Sequence, residues 1–321
     1  MSTTKKNKTT KHRSLKRSII IAMWAITIIG VASVTTLFIL AKSEILGPMP
    51  TFEELENPKT NLATQIYSTD GEVLGTYFIE NRTYLSYEDM FPADKESWLE
   101  IDGHKLPTIV AALLATEDVR FFDHSGIDFK ATARAGIKTV LLGQSGQGGG
   151  STITQQLAKN LYKTRRNKEG LQGNAGTLAA KAQEYVIATQ LEYNYTKEEI
   201  AAMYLNTVAY GSNAYGIKSA ASTFFGKNPN ELNVQEAAML VGVVNAPTRY
   251  SPVRNPENAL ARRNLVISRM RAAGAISRDV CDSLSALPIT LQYKPISHNE
   301  GEATYFREML RNVMNAQRPT R

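Results

Sequence analysis

From Ser18 to Ala41 the chain runs for 24 residues without a charge, and it enters that run through a tail of seven basic and no acidic residues. A helix of that length spans the hydrocarbon of a bilayer. Basic flanks stay on the cytoplasmic side, so the tail is expected inside and everything after Lys42 outside. No polar face interrupts the run, which argues against a helix lying flat on the membrane. A cleaved signal peptide is the competing reading, but the run is longer than a signal core and no convincing small-x-small site follows it.

That tail carries +7, which is the whole formal net charge, and leaves 30 basic against 30 acidic residues in the rest of the chain. A globally basic surface for nucleic acid is therefore not expected. Cys281 is the one cysteine and has no partner for a disulfide; a buried thiol is the expected state. The four histidines and this cysteine show no metal-ligand spacing.

Chemistry concentrates between Glu117 and Asn160. Ile109, Val110, Leu113 and Leu114 recur at helical spacing after Pro107, so a buried helix carries Glu117 and Asp118 near its C-terminal end. An ordinary polar helix end is the bland alternative. Further on, Gly146 and Gly148 to Gly150 form a flexible collar, and Ser151 or Thr152 is suited to cap a helix behind it. If the helix starts there, Thr152, Gln155, Gln156 and Lys159 share a face offering a hydroxyl, two amides and a cation. Such a face suits a phosphate or a sugar, and the free N–H groups of the helix start add to it. No lysine precedes the serine in GGGST, which excludes a Walker-type phosphate loop.

Elsewhere the signals are structural. Asp70-Gly71 between two aliphatic and aromatic runs predicts a hairpin, while 84–103 reads as irregular. Helical patterns cover Phe129 to Leu142 and Leu178 to Leu191, separated by a long polar loop with Lys163, Arg165, Arg166 and Lys168. Thr196 with Glu199 and Asn233 with Glu236 predict capping boxes, and Pro256 opens a helix that Gly274 ends. None of the segments after Tyr204 shows a chemical constellation of its own.

EDVRFFDHSG and GGGSTITQQLAKN resemble the first two signature motifs of the peptidoglycan glycosyltransferases, the lysozyme-like domain of class A penicillin-binding proteins. The resemblance continues through KAQE, KEEIAAMYLN and YGIKSAASTFFGK, and covers roughly Ile66 to Arg311. It implies a mainly α, lysozyme-like helical glycosyltransferase domain with a small β-hairpin region, preceded by one transmembrane helix. The implied organisation is a basic cytoplasmic tail (1–17), the transmembrane helix (18–41), a juxtamembrane connector (42–61), the transferase domain (62–275) and a linker (276–321) of the kind that leads to a transpeptidase domain. The ordered Ser-x-x-Lys, Ser-x-Asn and Lys-Thr-Gly set of a penicillin-reactive site is not found, so transpeptidase activity is not expected of this chain.

By that resemblance Glu117 and Glu184 are catalytic, and Asp118, Phe121, His124, Ser151, Thr152, Gln155, Gln156, Lys159, Asn160 and Lys181 bind substrate, His124 chiefly by supporting its loop. The family carries an arginine immediately before the lysine of KAQE, where this chain has Ala180. The implied reaction polymerises lipid II with inversion at the anomeric carbon and releases polyprenyl diphosphate. Donor and acceptor are a polyprenyl-diphosphate-linked glycan and lipid II, and moenomycin is the expected inhibitor. No cofactor is firmly implied; a divalent cation, Mg²⁺ or Mn²⁺, at the diphosphate is left open. The implied setting is the outer, periplasmic face of the cytoplasmic membrane, in contact with the bilayer and with proteins of wall synthesis. Two rivals share some features: a glycan-cleaving enzyme of lysozyme type, and a non-catalytic scaffold with a degenerate transferase domain.

Overall fold

The computed structural model describes residues 81–93, 98–142, 150–162, 173–295 and 304–316, the segments 64–71 and 73–77, and scattered residues between 17 and 54. The tail as far as Lys16, Gly146, Gly148, Gly149 and the cationic loop from Lys163 to Lys168 lie outside the described residues.

The strands are short. β1 (Thr64–Tyr67) and β2 (Val73–Tyr77) pair antiparallel. The turn between them uses Gly71 at φ +86°, the hairpin that Asp70-Gly71 predicts. β3 (Asn81–Arg82) lies parallel to β7 (Ala214–Tyr215), which pairs antiparallel with β6 (Ala209–Gly211). A further hairpin, β4 (Leu99–Ile101) and β5 (His104–Leu106), has its first strand and its turn inside the stretch read as irregular and its second strand just beyond it. Its two loop residues, Asp102 and Gly103, have φ of 50° and 78°, the left-handed pair of a type I′ turn.

Helices form the body. α1 (Tyr87–Met90) is capped by Ser86, whose side chain accepts from the Asp89 N–H. α2 (Thr108–Glu117) is apolar on every side, and Ile109 to Thr116 are all buried. A helix with no polar face belongs in a core. After α3 (Phe129–Leu142), α4 (Ile153–Tyr162) packs on α5 (Gly173–Asn194) and α6 (Lys197–Thr207). α5 starts at Gly173, so Gly173 and Gly176 are helical where a loop was expected. Each costs about 1 kcal/mol in helix propensity. The tight packing of Ala179, Ala180 and Ala182, at most 3% exposed, outweighs that cost.

α7 (Ile217–Phe225) is followed by α8 (Val234–Val244) and α9 (Pro256–Ala272), which clasp α2 between them. Both predicted capping boxes form, Thr196 with Glu199 and Asn233 with Glu236. α10 (Arg278–Ala286) is held to α9 by Arg263, which is 1% exposed and donates to the carbonyls of Leu287 at 2.5 Å and Pro288 at 3.1 Å. α11 (Thr304–Ala316) comes last. The architecture is mainly helical with a few short strands, and Cys281 is buried.

Among the described residues no helix is long and apolar enough to cross a membrane. Of Ser18 to Ala41, six residues lie outside the described set. The others are helical, with Ile21, Met23, Trp24 and Ile29 more than 60% exposed. Thr27 and Thr35 return their hydroxyl protons to the carbonyls of Met23 and Val31, each at 2.9 Å. Phe38 and Met49 pack against Ala182 and Val186 of α5.

Candidate active site

The turn after α2 is built first, because everything else hangs from it. Asp118 ends α2, is 8% exposed, and accepts the Ile153 N–H at 3.0 Å, so its carboxylate sits on the N-terminus of α4. A helix start favours that charge. His124 brings Nε2 to 3.1 Å from both oxygens of the same carboxylate. Thr152 caps α4 with Oγ1 accepting from Gln155 N–H at 3.2 Å. The Thr152 hydroxyl and the Gln155 amide both donate to the carbonyl of Gly126, at 2.7 Å and 3.0 Å. Lys197 closes the clasp from α6, donating to the His124 carbonyl at 2.5 Å, pairing with Glu192 at 2.7 Å and covering the Phe121 ring at 4.5 Å.

Glu117 is the last residue of α2, with its side chain 18% exposed. Gln156 Nε2 donates to its Oε2 at 3.1 Å, and the Arg262 guanidinium stands 3.6 Å from its Oε1. Arg262 reaches it with 10% side-chain exposure, its stem passing Gly242, where a Cβ would come within 3.1 Å of Arg262 Cγ. Arg269, two turns further along α9, donates to the Thr116 carbonyl at 2.5 Å. It supplies the cation that the C-terminal end of α2 lacks in its own sequence.

Beside this edge lies a cleft of 320 Å³, lined by Glu117, Asp118, Ser151 and Thr152 and by three arginines, Arg120, Arg134 and Arg269. Lys181 donates to Ser151 Oγ at 2.9 Å and pairs with Glu184 Oε2 at 2.5 Å. Glu184 is fully buried. Its ion pair within α5 ties it to the serine that borders the cleft. Asp128, also on the lining, accepts from Arg120 and from the Ala131 N–H at 2.9 Å. Burial pushes its carboxyl up, but the Arg120 and Ala131 hydrogen bonds outweigh that and hold it below the ordinary range.

The structure therefore brings Glu117, Asp118, Ser151, Thr152 and Gln156 to one cleft edge, with Lys181 and Glu184 joined through Ser151. It divides the face expected of α4. Thr152 and Gln155, 2% and 1% exposed, are spent on Gly126, while Lys159 and Asn160 are exposed. Phe121, expected against substrate, is 1% exposed and packs on Phe122 and His124. A ring so enclosed supports the loop and offers no face to a ligand. Ala180 is likewise buried. Sequence reasoning passed over Arg134, Arg262 and Arg269. The spacing of seven that puts Arg262 and Arg269 on one face of α9 was visible, but the carboxylate they serve is far away in the chain.

A family model described as Transglycosylase matches residues 81–271. Penicillin-binding protein 1A of Aquifex aeolicus is 37% identical over 250 residues, which is 76% of this chain and 31% of that protein. Penicillin-binding protein 1A of Neisseria flavescens is 35% identical over 267 residues, 83% of this chain and 30% of that protein. The chain thus spans under a third of the length of these relatives. A crystal structure of Penicillin-Binding Protein 1A from Haemophilus influenzae is 23% identical, with a TM-score of 0.41 over 81% of this chain and 25% of that one.

Proposed function

The chain belongs to the transglycosylase family, and on that premise we propose that it is a membrane-anchored peptidoglycan glycosyltransferase that polymerises lipid II. The observation that carries the proposal is the pairing, on one cleft edge, of a partly exposed carboxylate with cations set beside it: Glu117 against Arg120, Arg134, Arg269 and the Lys181–Ser151 pair. A transfer from a diphosphate-linked donor needs both halves. Glu117 accepts the proton of the acceptor 4-hydroxyl as that oxygen bonds to the donor's anomeric carbon from the face opposite the diphosphate. The carbon–oxygen bond to the diphosphate breaks, configuration inverts, and polyprenyl diphosphate leaves as an anion. That leaving group needs charge stabilisation more than a proton, which the cleft cations and the Ser151 hydroxyl supply. A hydrolase would have no use for so many cations, so the glycan-cleaving reading ranks lower.

The acidic groups of the cleft do not fit a resident Mg²⁺ or Mn²⁺. Of the carboxylates on the lining, Asp118 is taken by His124 and Ile153, Asp128 by Arg120 and Ala131, and Glu117 faces Gln156 and the Arg262 cation, while among the described residues no three His, Cys, Asp or Glu side chains gather.

The anchor is assigned to Ser18 to Ala41, which would place the cleft at the outer face of the cytoplasmic membrane. Exposed apolar side chains and threonine hydroxyls turned back on their own helix suit a lipid surroundings. Contact of Phe38 with α5, the helix of Lys181 and Glu184, supports this reading, since an anchor packed there would hold the cleft near the lipid that carries its substrate. The test incubates the detergent-solubilised chain with labelled lipid II, with and without moenomycin, and sizes the products. Polymer that vanishes with moenomycin and in Glu117→Gln is expected; polymer made by folded Glu117→Gln would sink the assignment of the base. Folded wild-type protein that makes no polymer would favour a scaffold.

A further inference from the structure

We propose that Tyr204 is a positioning residue for Glu117, acting through the side-chain amide of Gln156; this rests on the reading of Glu117 as the base. Tyr204 projects from α6 with 1% exposure and donates its hydroxyl proton to Gln156 Oε1 at 2.9 Å. Gln156, from α4, donates Nε2 to Glu117 Oε2 at 3.1 Å. Three helices thus meet in one directed chain of hydrogen bonds, phenol to amide to carboxylate.

Direction is the substance of the argument. A primary amide has a donor end and an acceptor end, and turning it over would set its carbonyl against the Glu117 carboxylate. The Tyr204 hydroxyl serves the acceptor end and so favours the orientation in which Nε2 faces Glu117. Burial, with the Glu117 charge adding to it, holds the phenol proton in place far above its ordinary range, so Tyr204 acts as a fixed donor. Each link polarises the next, which strengthens donation to the carboxylate. No proton travels along the chain.

The consequence for the base is asymmetric. Oε2 is tied by Gln156, whereas among the described residues Oε1 meets only Arg262, at an ion-pair distance of 3.6 Å that leaves it room to accept a hydrogen bond. Oε1 is then the oxygen that takes the acceptor's proton. The other charges around Glu117 have their own places: across the cleft Arg120 pairs with Asp128, Lys181 with Glu184 and Ser151, and Arg134 of α3 is exposed to solvent. From α9, Arg269 is committed to the Thr116 carbonyl; the adjoining Asp118 is committed to His124 and Ile153; the buried residues of α8 against α2 are apolar.

The test uses the full chain in detergent, with Glu117→Gln as reference. Tyr204→Phe is expected to lower kcat roughly tenfold, the scale of one lost hydrogen bond at the reacting group, with KM for lipid II unchanged. The acid limb of its kcat–pH profile moves to higher pH, because the carboxylate has lost part of its donor. Gln156→Met moves the limb the same way, and the double variant is no worse than Gln156→Met alone. Should Tyr204→Phe fail to fold, 3-fluorotyrosine at 204 keeps ring and hydroxyl but donates more strongly, and moves the limb to lower pH. An unmoved limb in either variant at 204, or additive losses in the double variant, overturns the proposal while Glu117→Gln stays inactive. Activity in Glu117→Gln would instead remove the base it rests on.

Discussion

Asp118 accepts the backbone N–H of Ile153 at 3.0 Å, so the carboxylate that ends one helix holds the start of another 35 residues later. Both conserve their own interest in the contact: the carboxylate gains a helix N-terminus, and the helix gains a partner for an N–H that has none within it. His124 secures the other side of the same group. Asp118→Ala leaves that N–H and a buried imidazole unserved at once. It is expected to cost about 2–3 kcal/mol, the range for hydrogen bonds to a charged group. Asp118→Asn, which keeps one acceptor oxygen, should cost roughly half as much. Urea unfolding midpoints of the two variants, taken in the same detergent, check the order.

The Asp128 carboxyl lies below its ordinary value of 3.8 because the hydrogen bonds from Arg120 and Ala131 outweigh the opposing effect of burial. A folded value below the unfolded one means that the carboxylate adds stability above about pH 4 and loses it as the pH falls through 3.8 and then through the folded value. Asp128→Asn should therefore melt below wild type at neutral pH, with the gap closing as the pH drops below 3.8. Melting curves from pH 7 down to about 3 test the sign. A gap that stays constant across that range would mean that the ion pair with Arg120 adds nothing beyond a neutral hydrogen bond.

What the sequence disclosed about this molecule follows the range of the interactions. Thr196 with Glu199, Asn233 with Glu236, and the Asp70-Gly71 hairpin are satisfied within a few residues, so their spacing is enough to read them. Asp102-Gly103 carries the same kind of signal, but its flanking strands are only three residues long, too short for their alternation to stand out. The surroundings of Glu117 were not legible on those terms. Gln156 lies 39 residues away, the helix of Arg262 shows a start, a stop and a shared face with Arg269 but no sign of the carboxylate it meets, and nothing local says that Gly242 clears its path. The shared face of α4 misled for a related reason. Helical periodicity places Thr152, Gln155, Gln156 and Lys159 on one side, but only packing decides that the first two are buried against Gly126 and the last is exposed.

Gly126 is a position where the backbone tolerates no side chain. It has φ +86°, and a Cβ there would meet the carbonyl carbon and oxygen of Ala188 on α5 at 2.9 Å. Its own carbonyl takes two hydrogen bonds from the start of α4. Gly126→Ala combines a left-handed conformation that a side chain disfavours with a contact against main chain that cannot swing aside, and is expected to cost roughly 2–5 kcal/mol. Because the loop and the α4 cap share this residue, activity should fall with stability, and lowering the temperature should restore both together. Gly274, also left-handed at φ +82°, has open space where the Cβ would go, so Gly274→Ala should show the strain of about 1 kcal/mol without the clash. Comparing the two melting temperatures separates conformation from contact.

Arg134 gives the sharpest test of what the cleft cations are for. It lines the cleft from α3 and is exposed, so its removal takes away charge at little structural expense. Arg269 lines the same cleft but also holds the end of α2 through Thr116, so its removal confounds the two effects. If the cations attract a diphosphate-linked donor, Arg134→Met should melt within about 1 °C of wild type, since exposed charges contribute little to stability. Its KM for lipid II should rise by roughly fivefold to tenfold at low salt, the effect of losing about 1 kcal/mol of attraction to an anion. Added salt screens the attraction in wild type, so the difference between the two proteins should shrink as ionic strength climbs. Arg269→Met should show both the higher KM and a lower melting temperature. A salt-independent loss of kcat in Arg134→Met, with KM unmoved, would mean that this arginine acts on the transition state and not on capture of the substrate.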